Sequence, residues 1–125
     1  MNASAQKSIS VVDDDGDVRD SLQVLLESFG FRVRTFPSSP AFLADPAAAR
    51  AHLLLFDVNM PGMSGVELLE AVRARGVLTP VMFVTADPKK FETRMKLAGA
   101  SAILRKPFND VELMAEIDRI LGGDR

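Results

Sequence analysis

The fold class this sequence predicts is α/β: one five-stranded parallel sheet, doubly wound, with helices on both faces. Short apolar runs recur along the chain, and each stops abruptly in a polar or glycine-rich stretch, as fully buried parallel strands do. Between the runs, apolar residues fall at helical intervals, and helix-capping residues stand where the spacing changes. Right-handed crossovers then carry the helices to both faces of the sheet, each of which is apolar.

In chain order, residues 9–12 are the first strand run. Val18, Leu22, Leu25, Leu26 and Phe29 follow at helical spacing, with Gly30 where a left-handed residue ends a helix. Residues 32–36 are a weaker strand, and Ser39-Pro40 places a cap residue before a proline at the first helical position, where its missing N–H costs nothing. Residues 53–56 are the third strand run, followed by Ser64 and Glu67, an N-cap acceptor three residues before an acid. Residues 81–84 are the fourth; Asp87-Pro88 repeats the cap-proline signal, and Gly99 marks the end of the next helix. Residues 102–104 are a short fifth run before a second capping pair, Asn109 and Glu112, which opens a helix carrying Leu113, Met114, Ile117, Ile120 and Leu121. Four of the five helix starts thus carry a cap signal, the first helix being the exception.

The chain has 125 residues, 47% of them hydrophobic, which is the size of one domain with one continuous core. A flexible N-terminus at 1–7, a domain at 8–121 and a tail at 122–125 are expected. The net charge of -2, from 15 basic and 17 acidic residues spread through the chain, provides neither a basic face for direct nucleic-acid binding nor a polybasic membrane anchor. Without cysteine there is no disulfide framework and no thiolate metal site. Residues 1–7 lack the apolar core of a signal peptide and no run approaches membrane-spanning length, so a cytoplasmic protein is expected.

In an open parallel sheet, ligands sit at the carboxyl ends of the strands. Those ends carry Asp13, Asp14 and Asp15 after the first strand, Asp57 after the third, Thr85 after the fourth and Lys106 after the fifth. Asp13, Asp14 and Asp57 in one crevice repel one another unless a cation sits between them, and an oxygen-rich set suits a hard divalent ion, magnesium above all. Lys106 adds a compact positive charge for a phosphoryl oxygen. A carboxylate can itself be the nucleophile and form an aspartyl phosphate; Asp57, ending the central strand, is the candidate. Thr85 offers a hydroxyl to the new phosphoryl group and so a way to pull the following loop.

At these residues the chain resembles the receiver domains of two-component response regulators, over about residues 8–121. The resemblance rests on Val11-Val12-Asp13-Asp14, on Phe56-Asp57-Val58-Asn59-Met60-Pro61-Gly62-Met63-Ser64-Gly65, on Val84-Thr85-Ala86 and on Lys106-Pro107-Phe108. It implies a flavodoxin-like fold with strand order 2-1-3-4-5 and a phosphoacceptor Asp57 served by a sensor histidine kinase or a phosphotransfer protein. It also implies Mg2+ held by Asp14, Asp57 and the backbone carbonyl of Asn59, with Asp13 acting through water. The Lys106-Pro107 bond is expected to be cis, self-catalysed phosphorylation and dephosphorylation to be slow single events rather than enzymatic turnover, and any homodimer to use the face of the fourth helix, fifth strand and fifth helix. The chain reads as a stand-alone receiver or as the receiver half of a longer regulator.

One position departs from the family. Receiver domains usually carry Tyr or Phe three residues before the lysine, a ring that swings inward as the threonine moves; here Ile103 stands at that switch position. The alternative function is therefore a receiver-like protein-binding module that signals without phosphorylation. A flavin or nucleotide carrier is disfavoured, because the acidic 13–17 segment replaces a phosphate loop and there is no Trp or Tyr to stack on a ring. Asp15 and Asp17 are expected only to favour the positive end of the first helix, His52 to be an ordinary surface or half-buried histidine, and Lys89 and Lys90 to be a solvated first turn.

Overall fold

The computed structural model describes residues 6–122; most of the 1–7 segment and residues 123–125 of the expected tail lie outside them. The elements run β1 (Ser8–Val12), α1 (Gly16–Ser28), β2 (Arg32–Phe36), α2 (Ser39–Leu43), a 3-10 turn (Ala48–Arg50), β3 (Leu53–Asp57), α3 (Gly65–Ala74), β4 (Val81–Thr85), α4 (Glu92–Leu97), β5 (Ala102–Arg105) and α5 (Asp110–Leu121). All strand pairs are parallel, in the order 2-1-3-4-5. No helix among the described residues is long and apolar enough to cross a membrane.

Strand alternation divides the core into two layers. Val12, Phe36, Leu54, Phe56, Val81 and Phe83 face α2, α3 and α4, while Ile9, Val11, Leu53, Leu55, Met82 and Val84 face α1 and α5. On the first side Phe36, Phe42, Phe56 and Phe83 form a chain of edge-on rings with centroids 5.5, 5.3 and 6.3 Å apart. Each such pair contributes about 0.5–1.5 kcal/mol beyond its burial. β3 and β4 are buried along their whole length, whereas the edge strand β2 exposes Arg32 and Arg34, charges that discourage another chain from pairing there.

Several boundaries differ from the sequence expectation for local reasons. α1 does have a cap: the Asp15 carboxylate accepts from the Asp17 and Val18 N–H groups at 3.0 and 3.2 Å. At α2 the cap is Ser38, which accepts from the Ala41 N–H, and Pro40 is the second helical residue. Ser39 turns inward instead, and its buried hydroxyl donates to the Met63 carbonyl at 3.0 Å. Phe29 lies outside the core, 45% exposed, because α1 ends at Ser28; Gly30, at φ 95°, turns the chain so that Phe31 takes the buried place. α4 begins at Glu92 and not after Asp87, so Lys89 and Lys90 are exposed in a turn that precedes the helix. Both capping boxes, at Ser64 with Glu67 and at Asn109 with Glu112, form as expected.

α3 meets the end of β3 at a glycine. A Cβ on Gly65 would lie 2.1 Å from the Asp57 carbonyl oxygen and 3.1 Å from the Val58 Cα, both backbone atoms with no room to move. The Gly65 N–H donates to the Val58 carbonyl at 3.0 Å, so this approach fixes the strand end that carries Asp57. Gly65→Ala is expected to cost at least the 1–3 kcal/mol typical of overpacking, read as a lower urea midpoint at unchanged slope; a wild-type midpoint would show that the helix can back away freely.

Candidate functional site

The register of the sheet brings the candidate residues to one edge. Val12 pairs with Phe56, so Asp13 and Asp57 follow side by side; Asp57 pairs with Val84, and Thr85 with Arg105, just before Lys106. Carboxylate oxygens of Asp13, Asp14 and Asp57 lie within 4.8 Å of one another. Asp13, Asp57 and Thr85 are buried, at 1, 5 and 1% exposure, while Asp14 faces solvent. Asn59 is exposed in the loop after β3, and the Lys106-Pro107 bond is cis.

Lys106 ties the acids together. Its Nζ donates to Asp57 Oδ1 at 2.9 Å and reaches Asp13 Oδ2 at 3.5 Å. Asp13 is held on every side: Oδ1 accepts from the Asp15 N–H at 2.9 Å, its own N–H donates to the Phe36 carbonyl at 3.2 Å, and its carbonyl accepts from Arg19 Nη1 at 2.8 Å. Thr85 Oγ1 accepts from the Asp87 N–H at 3.1 Å, and the Lys106 N–H donates to the Thr85 carbonyl at 2.8 Å.

Burial pushes the Asp57 carboxyl pKa above its ordinary value; the Lys106 hydrogen bond opposes this, and the charges of Asp13 and Asp14 reinforce it. Burial works against the Lys106 ammonium, but its hydrogen bond and attraction to Asp57, with Asp13 adding to them, outweigh it and hold the pKa above the usual lysine value. A hard, oxygen-only donor set of this size fits a small divalent cation better than a soft one.

Asp13, Asp14, Asp57 and Lys106 are brought together here, with Thr85 at the neighbouring strand end, whereas the Asp15 carboxylate is taken up in capping α1. Ile103 lies outside the crevice, half-buried against the layer under α3 and α4. His52 is exposed and structural, its Nδ1 accepting the Ser8 N–H at 3.0 Å where the strand ladder begins. The contacts of Arg19, Asp87 and Gly65 at this edge escape the sequence reading, which takes Asp87 only as a helix-start signal and Gly65 only as the end of the 56–65 segment. A lone arginine in a first helical turn looks like an ordinary surface residue and an acid before a proline like a cap, and only the folded loop shows Arg19 holding Asp13 and Thr85 holding Asp87.

A doubly wound parallel sheet with three acids, a buried hydroxyl and a lysine at its carboxyl edge defines an α/β domain with its candidate ligand site outside the strand ends. Residues 9–118 match the family described as response regulator receiver domain. The transcriptional regulatory protein FixJ of Azorhizobium caulinodans is 40% identical over 116 residues, covering 91% of this chain and 54% of FixJ. The sensory transduction protein RegX3 of Mycobacterium tuberculosis is 36% identical over 120 residues, 94% of this chain and 52% of RegX3. Among solved structures, the Vibrio cholerae chemotaxis protein CheY4 superposes with a TM-score of 0.86 at 32% identity, covering 94% of this chain and all of that one. The chain belongs to the response regulator receiver family, and it spans about half the length of the curated relatives it matches.

The raised Asp57 pKa has a thermodynamic consequence. Ionised Asp57 costs stability once pH exceeds its folded-state value, and the cost is absent below the ordinary carboxyl value of 3.8. In metal-free buffer, Asp57→Asn is expected to raise the thermal midpoint at neutral pH, with the gain fading as pH falls through the acid range. A loss at neutral pH, or a gain independent of pH, would contradict this.

Proposed function

We propose that this receiver is a magnesium-dependent phosphoacceptor switch, taking a phosphoryl group onto Asp57 from a sensor histidine kinase or a phosphotransfer protein. The observation that carries this reading is the pairing of a buried carboxylate at the end of the central strand with Lys106, 2.9 Å away, inside a cluster of acids. Lys106 holds Oδ1, which leaves Oδ2 as the nucleophile. Oδ2 forms the new P–O bond while the donor's P–N bond to its histidine breaks, and the electron pair stays on the imidazole nitrogen, which takes a proton from water. Lys106 then neutralises charge on the phosphoryl oxygens, and the Thr85 hydroxyl, whose oxygen already accepts from Asp87, has its proton free to donate to them.

Asp14, Asp57 and the Asn59 carbonyl would hold the magnesium ion, and Asp13 would act through water, since both its carboxylate oxygens are already engaged by Asp15 and Lys106. Bound magnesium would draw negative charge off the phosphoryl group and reduce repulsion among the acids. The domain is read as cytoplasmic, without direct nucleic-acid or membrane binding, and any homodimer as using the face of α4, β5 and α5. It acts alone through protein contacts or as the receiver half of a longer regulator, as the relatives' lengths suggest.

Ile103 favours a second reading, a receiver-like module that binds partners without being phosphorylated. One experiment separates the two. Incubation with magnesium and a small phosphodonor is expected to add one phosphoryl group to the intact mass, and removing magnesium or substituting Asp57→Asn to abolish it. A folded wild-type protein that gains no mass would overturn the switch and leave the binding module.

A further inference from the structure

α4 starts further from its sequence-expected position than α2 does, at Glu92 instead of directly after Asp87, and the cause is one residue. Asp87-Pro88 is a helix-start signal, and the cap contact it promises is made: Asp87 Oδ1 accepts from the Lys90 N–H at 3.3 Å. The same N–H lies 3.2 Å from the Asp87 carbonyl, and the Glu92 N–H donates to the Lys89 carbonyl at 3.2 Å, so residues 87–92 already form helix-like turns. They fail to join α4 only because Phe91 sits at φ 64°, ψ 15°. Among the described residues Phe91 is the sole non-glycine at positive φ, and a bulky side chain there is a true outlier. Phe91 is 42% exposed, with the Lys90 ammonium 5.3 Å from the ring centroid, so the burial that offsets the strain is incomplete.

The rest of α4 is pinned. Arg94 makes two hydrogen bonds to the Glu70 carboxylate of α3, at 2.8 and 2.7 Å, Met95 is fully buried, and Arg73 reaches the Gly99 carbonyl at 3.4 Å. Wholesale movement of the helix would break all of these. The free part is its N-terminal side, and that side is tied to the phosphoacceptor crevice through the Thr85 hydroxyl that holds the Asp87 N–H.

We propose that Phe91 is the hinge of the switch: phosphorylation of Asp57 draws the Thr85 hydroxyl inward, shifts Asp87, and lets residues 88–91 fold onto α4 as one helix over 88–97 capped by Asp87. This rests on Asp57 being the phosphoacceptor. Helical spacing supplies the driving force, because positions 91, 95 and 98 then share one face. Met95 and Ala98 already pack against the core, so joining the helix turns the exposed Phe91 ring onto that buried stripe. An aromatic residue thereby changes exposure in response to Thr85, from the helix rather than from position 103.

The test follows backbone chemical shifts of residues 87–92 by NMR, with magnesium and a small phosphodonor, alongside the intact mass of the same sample. Wild type is expected to gain the phosphoryl mass and to show helical shifts at 88–91 with slowed amide exchange. Phe91→Gly removes the ring and relieves the left-handed backbone, favouring the unjoined form by roughly five- to thirtyfold; it is expected to gain the same mass without the helical shifts. Phe91→Ala keeps the backbone strain without the ring and is expected to extend only in part. Full phosphoryl mass with unchanged shifts in wild type, or full extension in Phe91→Gly, overturns the hinge alone. Absence of the mass gain in wild type removes the trigger and overturns both readings together.

Discussion

Three carboxylates held within 4.8 Å of one another at the end of a buried sheet set the terms for the rest of this molecule. Two like charges about 4 Å apart repel by about 4 kcal/mol at an effective dielectric near 20, and the site contains more than one such pair. Lys106 offsets part of this, but it stands closer to Asp57 than to Asp13, and Asp57 still has a raised pKa. The acids therefore stay together because the backbone holds them, and not through any affinity for one another. Asp13 is bound through its N–H, its carbonyl and its carboxylate, and Asp57 is the last residue of a strand whose every residue is buried. A site under such repulsion is receptive to a cation that reduces it, and an anionic phosphoryl group could enter only with that cation and Lys106 to balance its charge.

Much of this was legible in the sequence because parallel, doubly buried strands leave a strong imprint. Runs such as 53–56 and 81–84 could be located to within a residue of β3 and β4, and the strand-end rule turned those boundaries into Asp57 and Thr85. What was less legible depended on which of several equivalent groups the fold used. Ser38 and Ser39 are chemically identical as caps, and the choice followed from the Met63 carbonyl, which takes the Ser39 hydroxyl. Phe29 and Phe31 are likewise two phenylalanines around a glycine, and only the sharp turn at Gly30 decides which enters the core. Arg19 and Gly65 act through contacts with backbone atoms of other segments, and such contacts leave no periodic trace.

The strands themselves cannot carry a signal away from Asp57. β3 and β4 are buried from end to end, and close-packed interiors switch between discrete arrangements rather than deform gradually. Any response has to leave through the loops at the carboxyl edge, and these loops are unequally tied. The β1–α1 loop is held by the Asp15 cap, by the Asp15 N–H on Asp13 and by Arg19. The β3–α3 loop is held by the Gly65 approach, the Ser64 capping box and the Ser39 hydroxyl. The β5–α5 segment runs directly into the Asn109 capping box.

The β4–α4 loop has far weaker ties. Its side-chain contacts include the Thr85 hydroxyl on the Asp87 N–H, a long Asp87 contact to the Lys90 N–H and the exposed Lys90 ammonium over the Phe91 ring, and it ends on a residue whose backbone is strained. A region with few ties and one unfavourable dihedral is drawn from the low-stability end of a fold, where small inputs move populations. Thr85 belongs to the crevice and to this loop at once, being buried beside the acids while holding Asp87. Losing the usual aromatic at position 103 therefore removes one route for the signal, not the first step of it. The same hydroxyl that is proposed to meet the phosphoryl group holds the loosest loop on that edge, and from there a change would reach the exposed start of α4, because Arg94 and Met95 hold the remainder in place.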